Sequence, residues 1–266
     1  MPEIASSIIT LTTDFGYKDP FIAEIKGVIL SINRHATIID LTHDIEPFNV
    51  VQATFIVESA YKYFPEGTIH VAVIDPEVGS ERRPIIIESS GHLFVGPDNG
   101  VFSRVLNAGY AVRYVEITDE KYVLRKDSPT FQGRDIFAPV AAWLSKGIKL
   151  LDIGLEIAGV KTINIPAVQR TQAKLVGEVL YIDHFGNAIT NITNNDLENM
   201  GGDYLVRIKG QELSPVANYA QAPAGGLGSL VNSSGYLEIF YYRGNASTLF
   251  DIGIGDSIAV SRKKKL

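Results

Sequence analysis

The sequence predicts an α/β protein with two domains: an N-terminal, mainly parallel α/β sandwich domain and a smaller antiparallel β-barrel-like domain. Two observations support this prediction. Up to about residue 160, apolar runs typical of strands alternate with helical spacings. Beyond residues 165–171 the helical periodicity fades, and short β-like runs separated by Gly, Asn, Asp and Pro replace it. We place the boundary near residue 168, so the predicted domains are 1–167 and 168–266.

The first domain alternates between the periods of strand and helix. In its last predicted helix, Asp135 is the expected N-cap, Pro139 lies near the first turn and Gly147 ends the helix. Strands that alternate with helices imply a mainly parallel sheet covered on both faces. The predicted strands are 8–11, 37–41, 69–74, 85–88 and 93–95, and the predicted helices are 19–32, 50–63 and 135–146.

The second domain shows only short β-like patterns. Its two glycine-rich stretches, 225–228 and 253–255, do not lie between a strand and a helix, so they predict turns rather than nucleotide-binding loops. The predicted strands are 175–182, 188–192, 204–208, 236–242 and 257–260.

The composition excludes several classes of site and partner. The 266 residues include no Cys, which excludes disulfides, thiol nucleophiles and zinc–thiolate sites. A net charge of −6 with acids and bases mixed along the chain argues against a nucleic-acid partner. No apolar stretch approaches the ~20 residues of a membrane span, and residues 1–7 lack the pattern of a signal peptide. The five histidines lack the spacing of a metal cluster. We therefore expect a cytoplasmic protein without a membrane partner or metal.

The strongest chemical signal lies at the end of the third predicted strand. The apolar run 69–74 stops at Asp75, and a turn then leads to Arg82 and Arg83. In open α/β folds this edge of the sheet binds ligands. An Arg close to a carboxylate keeps it ionised and oriented, and such a carboxylate can align a water molecule for attack. A structural ion pair in a turn explains the same spacing.

Two further segments of the first domain have both a functional and a structural interpretation. Asp14 ends the first strand, where a carboxylate can hold a diol such as a ribose or can simply cap a turn. Gln132 and Gly133 lead into the last helix. The free N–H groups of a helix N-terminus favour an anion or an electron-rich nucleophile, but an ordinary capping turn also fits.

In the second domain, residues 183–187 end a β run with Asp183, Phe185 and Asn187 close together. These residues suit a purine, with ring stacking from Phe185 and hydrogen bonds to the base edge from Asn187. They are also the residue types that build turns, and the turn is the favoured interpretation. Residues 232–238, which include Ser233 and Glu238, predict either polar ligand contacts or a hairpin turn.

Seven motifs in this order resemble a known family, the S-adenosyl-L-methionine (SAM) hydroxide adenosyltransferases. These are also called SAM hydrolases and are relatives of fluorinase and chlorinase. The motifs span almost the whole chain: 13–16, 41–45, 75–82, 96–100, 131–139, 182–187 and 232–236.

The resemblance implies an enzyme and an assembly. Water or hydroxide displaces L-methionine from C5′ of the ribose of SAM, a nucleophilic substitution that releases adenosine. SAM is the substrate, and no cofactor is expected. The resemblance also implies a homotrimer in which each active site lies between one subunit's α/β domain and a neighbour's β domain.

The resemblance further assigns roles to residues of this chain. The catalytic group is Asp75, Arg82 and Gln132, with Gly133 in the substrate site. Asp14 holds the ribose hydroxyls, and Phe48 is the aromatic near the ribose and sulfonium. In the second domain, Phe185 and Tyr219 sandwich the adenine, Asn187 and the Ala246 backbone contact its edges, and Asp183, Ser233 and Glu238 hold the methionine amino and carboxylate groups.

One residue departs from the family pattern. The hydrolases have a His at the position before Gly133, and this chain has Gln132. Gln can orient a water molecule but does not titrate. Three explanations remain open: an active natural variant, a slow or non-hydrolytic homologue that binds SAM or adenosine, and a deliberate substitution. A halogenase is disfavoured because the charge of Asp75 would repel a halide.

Overall fold

The structure is a computed structural model that describes residues 7–108, 111–124, 129–172, 174–201, 203–223 and 225–263. The chain divides into two compact units, Met1–Ile163 and Asn164–Leu266. We refer to them as unit 1 and unit 2. The boundary near residue 168 stays a sequence-based prediction.

Unit 1 is built on a seven-stranded sheet in the order β2-β1-β3-β5-β4-β6-β7. Its strands are β1 (Ile8–Thr13), β2 (Thr37–Thr42), β3 (Ile69–Val73), β4 (Pro84–Ser89), β5 (His92–Pro97), β6 (Ala111–Ile117) and β7 (Gly154–Glu156). Its helices are α1 (Phe21–Ile32), α2 (Val50–Tyr61), α3 (Ser103–Ala108), α4 (Ala138–Ser145) and α5 (Leu150–Ile153).

The α/β class is confirmed, but the sheet is mixed rather than mainly parallel. Strands β2, β1, β3 and β5 pair in parallel, whereas β4, β6 and β7 add antiparallel pairings. The reversal starts at the connection between β4 and β5, where Ser90 and Gly91 have φ of 50° and 77°. Positive φ at both central residues is typical of a tight two-residue hairpin, which forces the two strands to run antiparallel.

Helices cover both faces of this sheet. Successive residues of β3 alternate between two core clusters: Val71 and Val73 belong to the one that includes α1 and α4 residues, and Ala72 joins the one that includes α2 and α3 residues. This alternation is the two-residue period of a strand. The arrangement leaves the carboxyl ends of β1 and β3 side by side, because the two strands pair in parallel.

The helix predicted from Asp135 begins earlier and differently. A π turn, Gly133–Phe137, precedes α4, and Gln132 rather than Asp135 occupies the N-cap position. Pro139 has no N–H to donate to the Asp135 carbonyl, and that carbonyl accepts instead from Leu124 N at 2.8 Å. The predicted N-cap role of Asp135 is therefore wrong. Pro139 in the first turn is confirmed, and Gly147, with φ of 85°, follows the helix end.

Unit 2 is an antiparallel sheet in the order β12-β11-β15-β9-β10-β14-β13, with β8 paired to β9. Beyond β12, Pro215 bridges Ser229 of β13, so the sheet is nearly closed into the predicted barrel-like form. Its elements are β8 (Gln169–Arg170), β9 (Lys174–Ile182), β10 (Ala188–Thr193), α6 (Asn194–Met200), β11 (Tyr204–Ile208), β12 (Gln211–Leu213), β13 (Leu227–Val231), β14 (Tyr236–Tyr241), α7 (Ala246–Phe250) and β15 (Ser257–Arg262).

Two parts of unit 2 differ from the sequence prediction. The glycine-rich stretch 225–228 runs into strand β13, and a Cβ on Gly228 would lie 2.4 Å from the Phe240 ring. Glycine is therefore needed there for packing rather than for a turn. Helices α6 and α7 are too short to show a helical period in the sequence, although the capping box between Thr193 and Asp196 is a sequence signal for α6. Among the described residues, no helix has the length and apolar character needed to cross a membrane.

Candidate active site

The carboxylate that follows β3 is held by an arginine from the next turn. Arg82 Nε donates to Asp75 Oδ1 at 2.8 Å, and Arg82 Nη2 donates to Asp75 Oδ2. The two side chains are 1% and 5% exposed. A two-point contact between charged groups out of solvent fixes both position and orientation. The predicted proximity of these two residues is confirmed.

Gln132 joins this pair from the start of the π turn. Arg82 Nη2 also donates to Gln132 Oε1 at 2.7 Å, and the guanidinium carbon lies 5.6 Å from the centre of the Phe137 ring. Because the amide oxygen faces Arg82, the amide NH₂ is the part of Gln132 that can donate to another group. Two segments that are 50 positions apart in the chain therefore meet in one hydrogen-bonded group.

Asp75 and Gln132 lie on the wall of a pocket of about 430 Å³ in unit 1. Asp14 and four phenylalanines share this wall, and no Lys or Arg is among its described residues. The aromatic faces and the carboxylates of Asp14 and Asp75 suit a ligand that has an apolar body and a positive charge, and Arg82 balances the charge of Asp75 alone. The lining residues are Asp14, Phe15, Phe21, Pro47, Phe48, Val73, Asp75, Val78, Thr130, Phe131, Gln132 and Gly133.

Asp14 and Phe48 form a second feature of this pocket. Asp14 Oδ2 accepts from the Phe48 backbone N–H at 2.9 Å. Burial raises the pKa of Asp14, the hydrogen bond from Phe48 opposes this, and the nearby charge of Asp75 raises it further. Phe48 has a φ of 68° and is 69% exposed. A bulky residue in the left-handed region is strained, and such strain is typical of binding sites.

A buried network that sequence spacing did not reveal supports the loop around Asp14. His43 Nδ1 lies 2.8 Å from Thr13 Oγ1, and His43 Nε2 lies 3.1 Å from Asp40 Oδ1. Lys26 Nζ donates to Asp40 at 2.6 Å. The His43 carbonyl accepts from Gly16 N at 2.8 Å, so the network fixes both ends of residues 13–16. The contact with Thr13 gives no sequence signal because it spans 30 positions, whereas Asp40 lies only three positions before His43.

In unit 2, Asp183 organises the loop between β9 and β10. Its Oδ1 accepts from the backbone N–H groups of Phe185 and Asn187, and its Oδ2 accepts from Asn187 Nδ2 at 3.0 Å. These hydrogen bonds are those of a turn, as the second interpretation of residues 183–187 predicts. The same turn leaves the Phe185 ring 73% exposed. Ser247 N donates to the Gly186 carbonyl at 2.9 Å, which places Ala246, the first residue of α7, beside this loop.

Glu238 and Tyr219 form the polar part of unit 2. Tyr219 Oη donates to Glu238 Oε1 at 2.9 Å, and Glu238 is 2% exposed. Burial raises the pKa of Glu238, hydrogen bonds from Tyr219 and Asn232 lower it, and the charge of Asp183 raises it. Burial, together with Asp183 and Glu238, also raises the pKa of Tyr181 to about 12. Two acidic side chains therefore interact within the barrel.

Ser233 lies apart from these contacts. It is exposed in the turn between β13 and β14, whose geometry is set by Asn232 Oδ1 accepting from Ser234 N and Tyr236 N. The predicted residues of unit 2 thus fall into three groups. The first is Asp183 with Phe185, Asn187 and Ala246, the second is Tyr219 with Glu238, and the third is Ser233 alone.

Two family models match most of the chain. The model of the SAM hydroxide adenosyltransferase N-terminal domain matches residues 9–154, and that of the C-terminal domain matches residues 177–259. The chain belongs to the SAM hydroxide adenosyltransferase family. The (R)-S-adenosyl-L-methionine hydrolases of Methanocaldococcus jannaschii and Salinispora arenicola are 37% and 35% identical, and 95% of this chain and 95% and 97% of theirs are covered. Fluorinases match at lower identity.

A solved structure shares the fold. An uncharacterized conserved protein from Thermotoga maritima superimposes with a TM-score of 0.88 at 34% identity, over 96% of this chain and all of that one. Family membership and the two-domain layout, both expected from the seven motifs, are thereby confirmed. The individual site assignments and the roles of Gln132 and Gly133 stay predictions.

A metal site in this member of the SAM hydroxide adenosyltransferase family would require a cluster of side chains that can act as ligands. Within the described ranges, no group of three or more His, Asp or Glu side chains is arranged to hold a metal ion. The expectation that SAM is a substrate and that no cofactor takes part stays a prediction.

Proposed function

We propose that this protein hydrolyses SAM to adenosine and L-methionine by attack of water on C5′ of the ribose. One observation carries the proposal: Asp75, Arg82 and Gln132 form a hydrogen-bonded group at the wall of an aromatic, carboxylate-bearing pocket. The names of the relatives, (R)-S-adenosyl-L-methionine hydrolase, support SAM as the substrate.

The chemistry follows from the arrangement of these groups. Arg82 holds both oxygens of Asp75, and each oxygen keeps a lone pair that can accept a hydrogen bond from water. The water oxygen forms a bond to C5′ while the C5′–S bond breaks and its electrons return to sulfur. Methionine leaves as a neutral thioether, so no general acid is required, and the released proton passes to Asp75 or to solvent.

The pocket contributes mainly to binding. Phe48 and the other aromatic rings attract the sulfonium by up to ~2 kcal/mol. The positive charge is lost in the transition state, so this attraction lowers KM more than it raises kcat. The rate enhancement must therefore come from holding water and C5′ in line. Asp14, at the end of β1, is the proposed partner of the ribose hydroxyls.

The residues of unit 2 complete the proposed substrate site. Phe185 and Tyr219 are the exposed rings proposed to enclose adenine. Asn187 and the Ala246 backbone serve its edges, and Asp183, Ser233 and Glu238 bind the methionine portion. The buried carboxylates of unit 2 suit an ammonium group.

The direct test is incubation with SAM followed by chromatographic separation of the products. We expect equal amounts of adenosine and methionine, and the (R) sulfonium epimer should react faster than the (S), as the relatives' names suggest. The rate should be unchanged by EDTA, because the proposed reaction uses no metal. SAM left intact after long incubation at high enzyme concentration contradicts the proposal.

A second candidate is a SAM- or adenosine-binding protein with little turnover. Gln132 favours it, because an amide cannot accept the proton of the attacking water. Tight binding by calorimetry without product formation identifies this case. A sharp rise in turnover for Gln132→His then assigns the defect to position 132.

A halogenase is the least favoured alternative. The negative charge of Asp75 at the pocket wall opposes a halide. We expect no 5′-halo-5′-deoxyadenosine at high fluoride or chloride concentration.

The proposal includes a cytoplasmic homotrimer in which unit 1 of one subunit and unit 2 of its neighbour share each site. Light scattering measures the mass of the assembly. Mixed assemblies test whether two subunits share each site. The Asp75→Asn and Phe185→Ala proteins should each be impaired. Co-refolding them should restore part of the activity, because some sites then combine an intact unit 1 with an intact unit 2. Absence of any restoration in mixed trimers contradicts shared sites.

A further inference from the structure

The loop after β5 touches the peptide segments that carry the Asp75–Arg82 pair. In the sheet, β5 lies between β3, which leads to Asp75, and β4, which follows Arg82 and Arg83. The first residues beyond β5 are Asp98 and Asn99. Because of this strand order, their side chains reach the backbone on both sides. Neither residue lines the pocket described above.

Asn99 supports the Asp75 side. Its Nδ2 donates to the Ile74 carbonyl at 2.8 Å, which belongs to the peptide unit that enters Asp75. Its Oδ1 accepts from Val101 N at 3.1 Å, and this second bond fixes which way the amide faces. Ile74 is fully buried, so no solvent can replace Asn99 as the donor to this carbonyl without opening the core.

Asp98 supports the Arg82 side. Its backbone N–H donates to the Arg83 carbonyl at 2.9 Å, and its Oδ2 accepts from Arg83 Nε at 2.9 Å. Its Oδ1 accepts from Lys161 N at 2.6 Å. The Asp98 carboxylate is 2% exposed, so it is held away from solvent, whereas the Arg83 side chain is 35% exposed.

We infer that Asp98 and Asn99 are positioning residues for the reaction: they hold the backbone on either side of the Asp75–Arg82 pair so that the carboxylate aims its water at C5′. The inference rests on the proposed function. A shift of about 1 Å in a reacting group can cost roughly 100-fold in rate. Neither residue needs to touch the substrate to have this effect.

The kinetic test uses Asn99→Leu, which keeps the volume but removes the donor, and Asp98→Asn, which keeps the shape but removes the charge. We expect kcat to fall roughly 10- to 100-fold while KM and the stoichiometry of adenosine binding stay within about twofold. The matched control is Ser103→Ala. Ser103, the first residue of α3, also holds a segment that is distant in sequence, because its Oγ accepts from Ile163 N at 2.8 Å, but this bond reaches neither flank of the pair.

A double-mutant cycle separates positioning from general damage. If Asn99 acts through Asp75, adding Asn99→Leu to Asp75→Asn should change the residual rate little. A full, additive loss in the Asp75→Asn background overturns the inference, as does wild-type kcat in both single variants.

A readout independent of activity distinguishes failure of the inference from failure of the proposed function. Hydrogen exchange of the Arg82 Nε–H, followed by NMR and assigned with Arg82→Lys, should be at least about tenfold faster in Asn99→Leu and Asp98→Asn than in Ser103→Ala. Unchanged exchange overturns the inference. Faster exchange in the two variants of a protein that leaves SAM intact shows that Asp98 and Asn99 hold the pair in place, and it rejects only the proposed hydrolase activity.

Discussion

The Asp75–Arg82 pair of unit 1 and the two aromatic rings proposed to bind adenine in unit 2 differ in how firmly the protein itself fixes them. In unit 1, the Asp75 and Arg82 side chains are almost completely buried and bind each other at two points. In unit 2, the rings of Phe185 and Tyr219 are 73% and 44% exposed, on a loop and a short 3₁₀ turn. The groups proposed to act on the reacting atom are thus held in advance, whereas the rings proposed to recognise the base remain exposed.

This difference has a physical basis. A catalytic carboxylate contributes to the rate only if its direction is set before the reaction, because reorganisation would consume the gain. An aromatic ring contributes to binding when the ligand removes its apolar surface from water, so the ring must be exposed to solvent in the free protein. The first kind of group should therefore govern kcat and the second KM.

The largest effect is expected at Asp75. In Asp75→Asn the side chain keeps its shape but loses the charge that orients water and balances Arg82, so kcat should fall by about 10²–10⁴. Initial rates with SAM give the change, and adenosine binding by calorimetry checks that the pocket persists. A variant with normal kcat would remove Asp75 from the proposed mechanism.

Removal of the exposed Phe185 ring should change KM rather than kcat. Phe185→Ala should raise KM about 5- to 150-fold, because stacking on a base contributes ~1–3 kcal/mol, with kcat within about threefold. Tyr242→Ala, another exposed aromatic of unit 2 at 41%, is the matched control and should change neither constant. A fall in kcat alone for Phe185→Ala would contradict the division of labour between the units.

The stability of unit 1 should fall in acid because of a buried histidine pair. Burial, with the nearby His92, lowers the pKa of His70 to about 3, and burial also lowers the pKa of His92. Below pH 6.5 the unfolded chain binds a proton at His70, whereas the folded chain does so only near pH 3, so the free energy of unfolding falls as the pH decreases from 6.5 towards 3. The lowered pKa of His92 acts in the same direction.

Urea titrations followed by the fluorescence of Trp143, the single tryptophan of the chain, report on unit 1. The free energy of unfolding should fall by about 1.4 kcal/mol per pH unit for each such proton. His70→Gln should remove that part of the slope. His184→Gln alters an exposed histidine and should leave the slope as in the wild type. Equal slopes in all three proteins would rule out His70 as the cause.

The smallest effect concerns position 132. The wild-type rate should show no titration from this residue, whereas Gln132→His should introduce a limb near pH 6–7. We expect a change in kcat of up to about tenfold, because the amide already accepts from Arg82 and can still orient water. Superimposable pH profiles of the two proteins would show that position 132 does not exchange protons during the reaction.

The sequence alone determined the elements whose pattern is local. Helix α1 was predictable because Ile22, Ile25 and Ile29 recur at helical spacing and are buried. Strand β3 was predictable as a short apolar run that ends at a carboxylate. The pairing of Asp75 with Arg82 was within reach too, since only one turn separates them in the chain.

The tertiary structure decided what depends on residues far apart. The antiparallel half of the sheet depends on how its strands pair. Strand β13 depends on the close approach of Gly228 to Phe240. The π turn accompanies the Asp135 carbonyl, to which Pro139 has no N–H to donate. The contact of Gln132 with Arg82 joins residues 50 positions apart, and that of Asn99 with Ile74 spans 25. Local periodicity carries no information on such contacts, because they form only when the packed sheet brings its strand ends together.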